Sequence, residues 1–207
     1  SSNMDTQCSQ TTEVDGNMSY FITYQPEVVF DEKYQLKGCI TGSKTRARFV
    51  VDDNKLFIGI LLKRFEKDFN TNKETKLTGK ITLDEITLPT EDKSEVQYTP
   101  LCYIIHLGEN RNSGYYVSMI KSNDNWYIAN DSTITKFDNA TAEEKKKIEG
   151  QAYFVIYVKT AEYNKVKIKL KEPKGIINNG NTCFFNALLQ TIFHMKKTEE
   201  LIEEQTA

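Results

Sequence analysis

From Tyr20 onward, "YFITYQPEVVF" sets aromatic and β-branched residues against polar ones, the period-two pattern of half-buried strands. "RARFVVDD" follows, and then "KLFIGILLKRFEKD", a nearly continuous apolar run. Its β-branched and aromatic content predicts a buried central strand rather than a short helix. "KITLDEITL", "YTPLCYIIHLG", "GYYVSMIKS", "NWYIANDST" and "AYFVIYVKT" predict further strands. Turn chemistry separates them. "ENRNSG" between Leu107 and Tyr115 and "SNDN" between Ile120 and Trp126 supply Gly, Asn or Asp where a hairpin wants positive φ. "TAEEKKKIEG" reads as a short polar helix or turn ending at Gly150. The pattern predicts an antiparallel sheet of about six strands whose loops carry the chemistry.

The two ends differ from this middle. Residues 1–19 are polar without periodicity and predict a flexible tail. Residues 160–174 alternate Val166, Ile168 and Leu170 with lysines before Pro173 and Gly175, which predicts a linker or edge strand. Lysines on an edge discourage aggregation, so this charge run is not read as a nucleic-acid patch. "CFFNALLQTIFHMKKTEELIEE" then has the spacing of an apolar-faced helix.

The 207 residues suffice for one domain or one and a half. Hydrophobic residues make up 39% and charged residues 27%, with a net charge of −2, the balance of an ordinary soluble globular protein. Nothing is basic enough to make nucleic acid the main partner. No run approaches the ~18 apolar residues of a membrane span, and no signal peptide opens the chain; the expected setting is cytoplasmic, nuclear or both. Cys8, Cys39, Cys102 and Cys183 are scattered, so reduced thiols are expected over two disulfides, and no zinc-like spacing is visible.

The sharpest local signal is "NNGNTCFFNALLQ", Asn178 to Gln190. It places the Cys183 thiol at the first turn of a helix, where free N–H groups and the macrodipole favour an anion. Taken alone, Cys183 is either a nucleophile or a small buried apolar residue.

The surroundings extend the nucleophile reading. "KGIINNGNTCFFNALLQTIFH" resembles the cysteine box of the ubiquitin-specific proteases, GLxNxGNTCYxNxxLQ, at Gly175, Asn178, Gly180, Asn181, Thr182, Cys183, Asn186, Leu189 and Gln190. "LFIGILLKRF" is similar to that family's LxxxLKRF strand. "YTPLCYIIHLGENRNSGYYVSMIKSNDNWYIANDSTIT" resembles its histidine box, and "AYFVIYVK" its closing strand. The resemblance implies an α+β, papain-like cysteine protease fold, an antiparallel palm over residues 20–159 with a nucleophile helix over 175–207. It implies isopeptide cleavage after the last glycine of ubiquitin, so ubiquitin or a ubiquitinated protein as partner, and no cofactor. Carried over, Cys183 takes the nucleophile position and Asn178 that of the side-chain oxyanion donor. Asn130, counted from Trp126, takes the third triad position, and Asp131 the neighbouring polar one. Gly114 and Tyr116 resemble walls of the channel for ubiquitin's tail, and Gln190 joins them as a substrate-binding position.

Three departures shape the expectation. Where the family reads SGHY, this chain reads Ser113-Gly114-Tyr115-Tyr116, so Tyr115 stands at the position of the catalytic histidine. A phenol with an ordinary pKa near ~10 stays protonated at neutral pH and cannot relay the thiol proton as imidazole does. General acid–base catalysis alone is worth ~10²–10⁴-fold. His106 matches the family's other, non-catalytic histidine and is expected to be a hydrogen-bonded sheet residue. His194 is expected at the core edge, ~16 Å along the helix from Cys183 at 1.5 Å rise per residue.

Second, the histidine box precedes the cysteine box, through circular permutation or because two tandem domains are cut across their boundary. Third, the helical thumb and the zinc-bearing fingers are largely absent. Leu36 and Cys39 stand where a CxxC pair would be, so no metal site is expected, and a further segment or chain is the expected source of a thumb. Three readings follow. One is an inactive or strongly impaired domain that retains ubiquitin binding. The second is a deubiquitinase that uses a different base or is completed by another segment. The third is a structural interaction module.

Overall fold

The computed structural model describes residues 18–24, 40–41, 45–46, 51, 55–62, 64–67, 70–76, 78, 84–90, 92 and 94–206. The strands are β1 (Met18–Tyr24), β2 (Ile40–Thr41), β3 (Thr45–Arg46), β4 (Phe57–Leu62), β5 (Phe65–Lys67), β6 (Glu74–Lys76) and β7 (Ile86–Pro89). They continue with β8 (Glu95–Asn110), β9 (Ser113–Ser122), β10 (Asn125–Asn130), β11 (Thr133–Lys136) and β12 (Ala152–Lys159). The α-helices are α1 (Ala142–Glu149), α2 (Thr160–Val166) and α3 (Cys183–Thr206). Most of the expected tail, the stretch after Tyr24, the Leu36–Cys39 position and most of "RARFVVDD" lie outside the described residues.

An eight-stranded sheet runs β1-β4-β12-β8-β9-β10-β11, with β7 beside the first part of β8. Every pair is antiparallel except β1 with β4, which is parallel. The stretch from Tyr24 to Phe57 is long enough for the crossover that a parallel pair needs. The strand count exceeds the sequence expectation partly because "NWYIANDST" divides at Asp131 and Ser132 into two strands. β4 lies between β1 and β12 and is buried, as its apolar run predicts. Pro100 sits in the middle of β8 without an N–H to give; the register slips past Leu101 beside it, a bulge that relieves the missing donor.

Both predicted hairpins form, but the β8–β9 turn at Arg111 and Asn112 uses no positive φ, and the β9–β10 turn does. Asn123 and Asp124 have φ of 47° and 61° and form the two-residue turn between β9 and β10. Asp131, at φ 50°, opens the next turn. α1 starts with a capping box in which Thr141 and Glu144 satisfy each other's backbone N–H.

Alternation along the strands divides the core. Ile58, Ile60, Tyr103, Ile105, Val117, Met119, Val155 and Tyr157 face one side. Phe57, Cys102, Ile120, Ile156 and Val158 face the other, where Tyr163, Val166, Leu170, Leu201 and Ile202 cover them. That second layer corrects one expectation: residues 160–174 contain no edge strand. They form α2 and a 3₁₀ turn (Lys167–Lys169) packed on the sheet face. The Val166–Ile168–Leu170 alternation also fits helical spacing from Tyr163, and burial selects the helix. Tyr163, Val166 and Leu170 are buried while Ile168 is 73% exposed.

The chain then runs without regular structure to α3, pinned on its way. Ser122 donates to the Lys171 carbonyl at 2.7 Å, Tyr127 to Glu172 Oε1 at 2.7 Å, and the Ile176 N–H to the Asp131 carbonyl at 2.8 Å. α3 buries Asn186, Ala187, Gln190, Thr191, His194, Thr198, Leu201 and Ile202, one stripe at helical period. Its buried threonines satisfy themselves within the helix, Thr191 to the Ala187 carbonyl at 3.0 Å and Thr198 to the His194 carbonyl at 2.8 Å. Among the described residues no helix is long and apolar enough to cross a membrane.

Candidate active site

Asp131 gathers the site. Its positive φ sits in the β10–β11 turn, a conformation Asp tolerates better than most residues. Oδ2 accepts from the Tyr115 hydroxyl of β9 and from Asn178 Nδ2 at 2.8 Å, and Oδ1 accepts from Asn186 Nδ2 at 2.7 Å. Histidine-box and cysteine-box residues therefore meet on one carboxylate. Burial opposes its charge, but the bonds from Tyr115, Asn186 and Asn178 outweigh burial and hold the Asp131 carboxyl below its ordinary range.

Backbone contact brings the cysteine box to this turn. Gly175 passes so close to Ser132 that a Cβ would overlap its carbonyl and Cα. The Asn178 side-chain carbonyl accepts from the Thr182 hydroxyl at 2.9 Å and its N–H at 3.4 Å. Thr182 precedes the first turn of α3, its carbonyl accepting the Asn186 N–H at 2.8 Å. Cys183 follows as a half-buried free thiol; Cys102, the other described cysteine, is also free and fully enclosed. Cys8 and Cys39 lie outside the described residues.

Tyr115 and Tyr116 both stand close enough to Cys183 for a thiolate there to raise their phenols. Burial, the bond to Asp131 and the neighbouring Asp131 and Cys183 charges push the Tyr115 phenol up to about 12. It is a fixed donor at neutral pH. The Tyr116 ring lies between His106, at 4.8 Å between centroids, and Phe184, at 5.3 Å. Gly114, at φ 154°, is exposed and lies directly against the His106 ring.

Other expected positions fall differently. Asn130, the last residue of β10, is exposed and pairs through its backbone with Thr133; the phenol bonds Asp131. Counting from Trp126 selected Asn130, but the turn conformation aims the next residue at the site. Gln190 is 7% exposed and donates to the Lys174 carbonyl, tying the incoming segment to α3. Asn186 was matched in the cysteine box without a role. The signal that finds it is spacing, since three residues beyond Cys183 is one helical turn.

Both histidines are held by other partners. His106 is 1% exposed, and its Nδ1 lies 3.1 Å from the Lys76 ammonium. Burial and the Lys76 charge lower its affinity for a proton. His194 Nε2 meets the Lys121 carbonyl at 2.6 Å, and burial pushes it down to about 4.

Residues 7–157 match the family profile described as "Ubiquitin carboxyl-terminal hydrolase". The chain belongs to that family. It is 25% identical over 119 residues to "Ubiquitin carboxyl-terminal hydrolase 46" of Caenorhabditis elegans, a match covering 55% of this chain and 28% of the relative. To "Ubiquitin carboxyl-terminal hydrolase 12" of Salmo salar it is 26% identical over 122 residues, covering 54% and 32%. The matched stretch thus spans less than a third of either curated relative. Among solved structures it is similar to the SAGA Ubp8/Sgf11/Sus1/Sgf73 DUB module bound to ubiquitin aldehyde, at 24% identity and a TM-score of 0.39, covering 51% of this chain and 24% of that one. The α+β architecture of this chain, helices on a mainly antiparallel sheet, is consistent with the family's catalytic domain.

Proposed function

We propose that this chain is a ubiquitin-binding member of the family whose isopeptidase chemistry is silenced at Tyr115. The observation that carries the reading is the Tyr115–Asp131 hydrogen bond beside Cys183. An imidazole in that place would take the thiol proton and later protonate the leaving amine; a phenol pushed up to about 12 does neither at neutral pH. His106 and His194 are engaged elsewhere.

The cysteine box docks in cis on its own palm, in permuted order. What supports this is the hydrogen bonding of Asn178 and Asn186 to Asp131, together with a connection through α2 that packs on the same sheet. The partner is ubiquitin, its tail lying along Gly114 and Tyr116; a further segment or chain supplies the opposite wall.

A second reading, residual thiol reactivity, is favoured by the intact cysteine box around Cys183. A ubiquitin probe with a C-terminal electrophile separates the two. Labelling is expected to be no greater than in Cys183→Ala, alongside measurable ubiquitin binding by calorimetry. Cys183-dependent labelling supports the second reading, and absence of binding leaves a structural interaction module.

A further inference from the structure

Lys76, at the end of β6, is half-buried against the β8–β9 hairpin. Its Nζ lies 3.1 Å from His106 Nδ1 and donates to the His106 carbonyl at 2.5 Å, the Gly108 carbonyl at 2.7 Å and Gln151 Oε1 at 2.9 Å. An ammonium has three N–H groups, so these four neighbours saturate it. The His106 ring in turn meets Gly114 and Tyr116, and Tyr116 meets Phe184, the residue after Cys183. A continuous packed line thus joins Lys76 to the start of α3.

We propose that Lys76 is a positioning residue for the ubiquitin-tail wall: acting through His106, its ammonium sets Gly114 and Tyr116 against the start of α3. This rests on the ubiquitin-binding reading above and adds a regulator to it.

The charges around Lys76 make the idea testable by pH. Arg64 repels it from the loop after β4, His106 faces it from β8, and Glu74 of its own strand is paired with Arg111 at 3.2 Å. Lys73, Glu109 and Lys147 line the open cavity beside it. Burial and the Arg64 charge push Lys76 down to about 8. Above that pH the neutral amine has two N–H groups for the same acceptors, so one contact is given up and Gly114 and Tyr116 shift within the folded hairpin. The hairpin does not open, because linkage favours the buried arrangement of Lys76 as pH rises. The folded value lies below the unfolded ~10.4, so the unfolded state binds more protons between them and this group adds stability as pH rises. A lysine that only holds the fold together would not separate affinity from stability in this way.

The experiment follows the Gly114 and Tyr116 amides by NMR from about pH 7 to about pH 9, with ubiquitin affinity and melting temperature at both ends, a window chosen to bracket the Lys76 titration. Wild type, Lys76→Arg and Lys76→Met are compared. In wild type the amides are expected to move with a midpoint near 8, and affinity to weaken several-fold without a fall in melting temperature. Lys76→Arg, which keeps its charge, shows neither change; Lys76→Met binds weakly at both ends. Amides that do not titrate, or that titrate equally in Lys76→Arg, overturn the proposal, and that comparison stands even if Lys76→Met fails to fold. Amides that titrate as expected without ubiquitin binding at any pH uphold the positioning role and reject the ubiquitin reading. His106 does not confuse the window, because its titration lies below its ordinary 6.5.

Discussion

The Tyr115 hydroxyl and the Asn178 amide donate to the same oxygen of Asp131, so the histidine box and the cysteine box share one acceptor. Asn186 adds a third bond from α3. The carboxylate is therefore both a piece of the site and a fastener between the palm and the nucleophile helix.

Asp131→Asn tolerates the turn conformation but removes the charge that three donors face. It is expected to destabilise the fold by about 1–3 kcal/mol in urea unfolding at neutral pH. The sign with pH follows from the lowered carboxyl: its contribution is complete above the unfolded value near ~4 and is lost as pH falls through the folded one. Wild type should lose this component in acid, and the variant should lack it. Equal stability at neutral pH would show that the carboxylate fastens nothing.

Gly175→Ala puts a methyl group into the Ser132 backbone. Overpacking of this kind is expected to destabilise by about 1–3 kcal/mol or to displace the cysteine box from the β10–β11 turn. Proteolysis between α2 and α3 should quicken with it. An unchanged cleavage rate argues against the docked arrangement.

The α2 correction makes a paired prediction. Leu170→Ala should cost about 2–5 kcal/mol, as for a buried core leucine, while Ile168→Ala stays within about 0.5 kcal/mol. An edge strand would bury neither residue alone, so similar small losses at both positions would restore that assignment.

His194 gives a second pH signature. It is 9% exposed and held neutral in the fold, so only the unfolded state gains a proton as pH falls from about 6.5 to about 4. Stability should decline across that interval by up to about 3 kcal/mol. His194→Gln should flatten the decline; a decline of equal slope in the variant would place the proton elsewhere.

The sheet was largely readable because period-two alternation and Asn-Asp turns are local signals: Asn123 and Asp124 announce their hairpin without help from the rest of the chain. The helix from Cys183 was equally plain. α2 was not, because three apolar positions among lysines satisfy two periods and only burial against Cys102 and Val158 chooses between them. The parallel pairing of β1 carries no local mark. At the site, residue types were legible but geometry was not. A count from Trp126 ends on Asn130, whereas the positive φ of Asp131 decides which side chain meets Tyr115. Lys76 gave no signal at all, since its short polar strand matters only once Gly108 and Gln151 are folded around it.

The most direct test is cleavage of a ubiquitin C-terminal fluorogenic amide by wild type, Cys183→Ala and Tyr115→His side by side. The account predicts wild type at the Cys183→Ala baseline and turnover appearing in Tyr115→His, a site assembled but silenced at one residue. Wild-type cleavage that depends on Cys183 would contradict it.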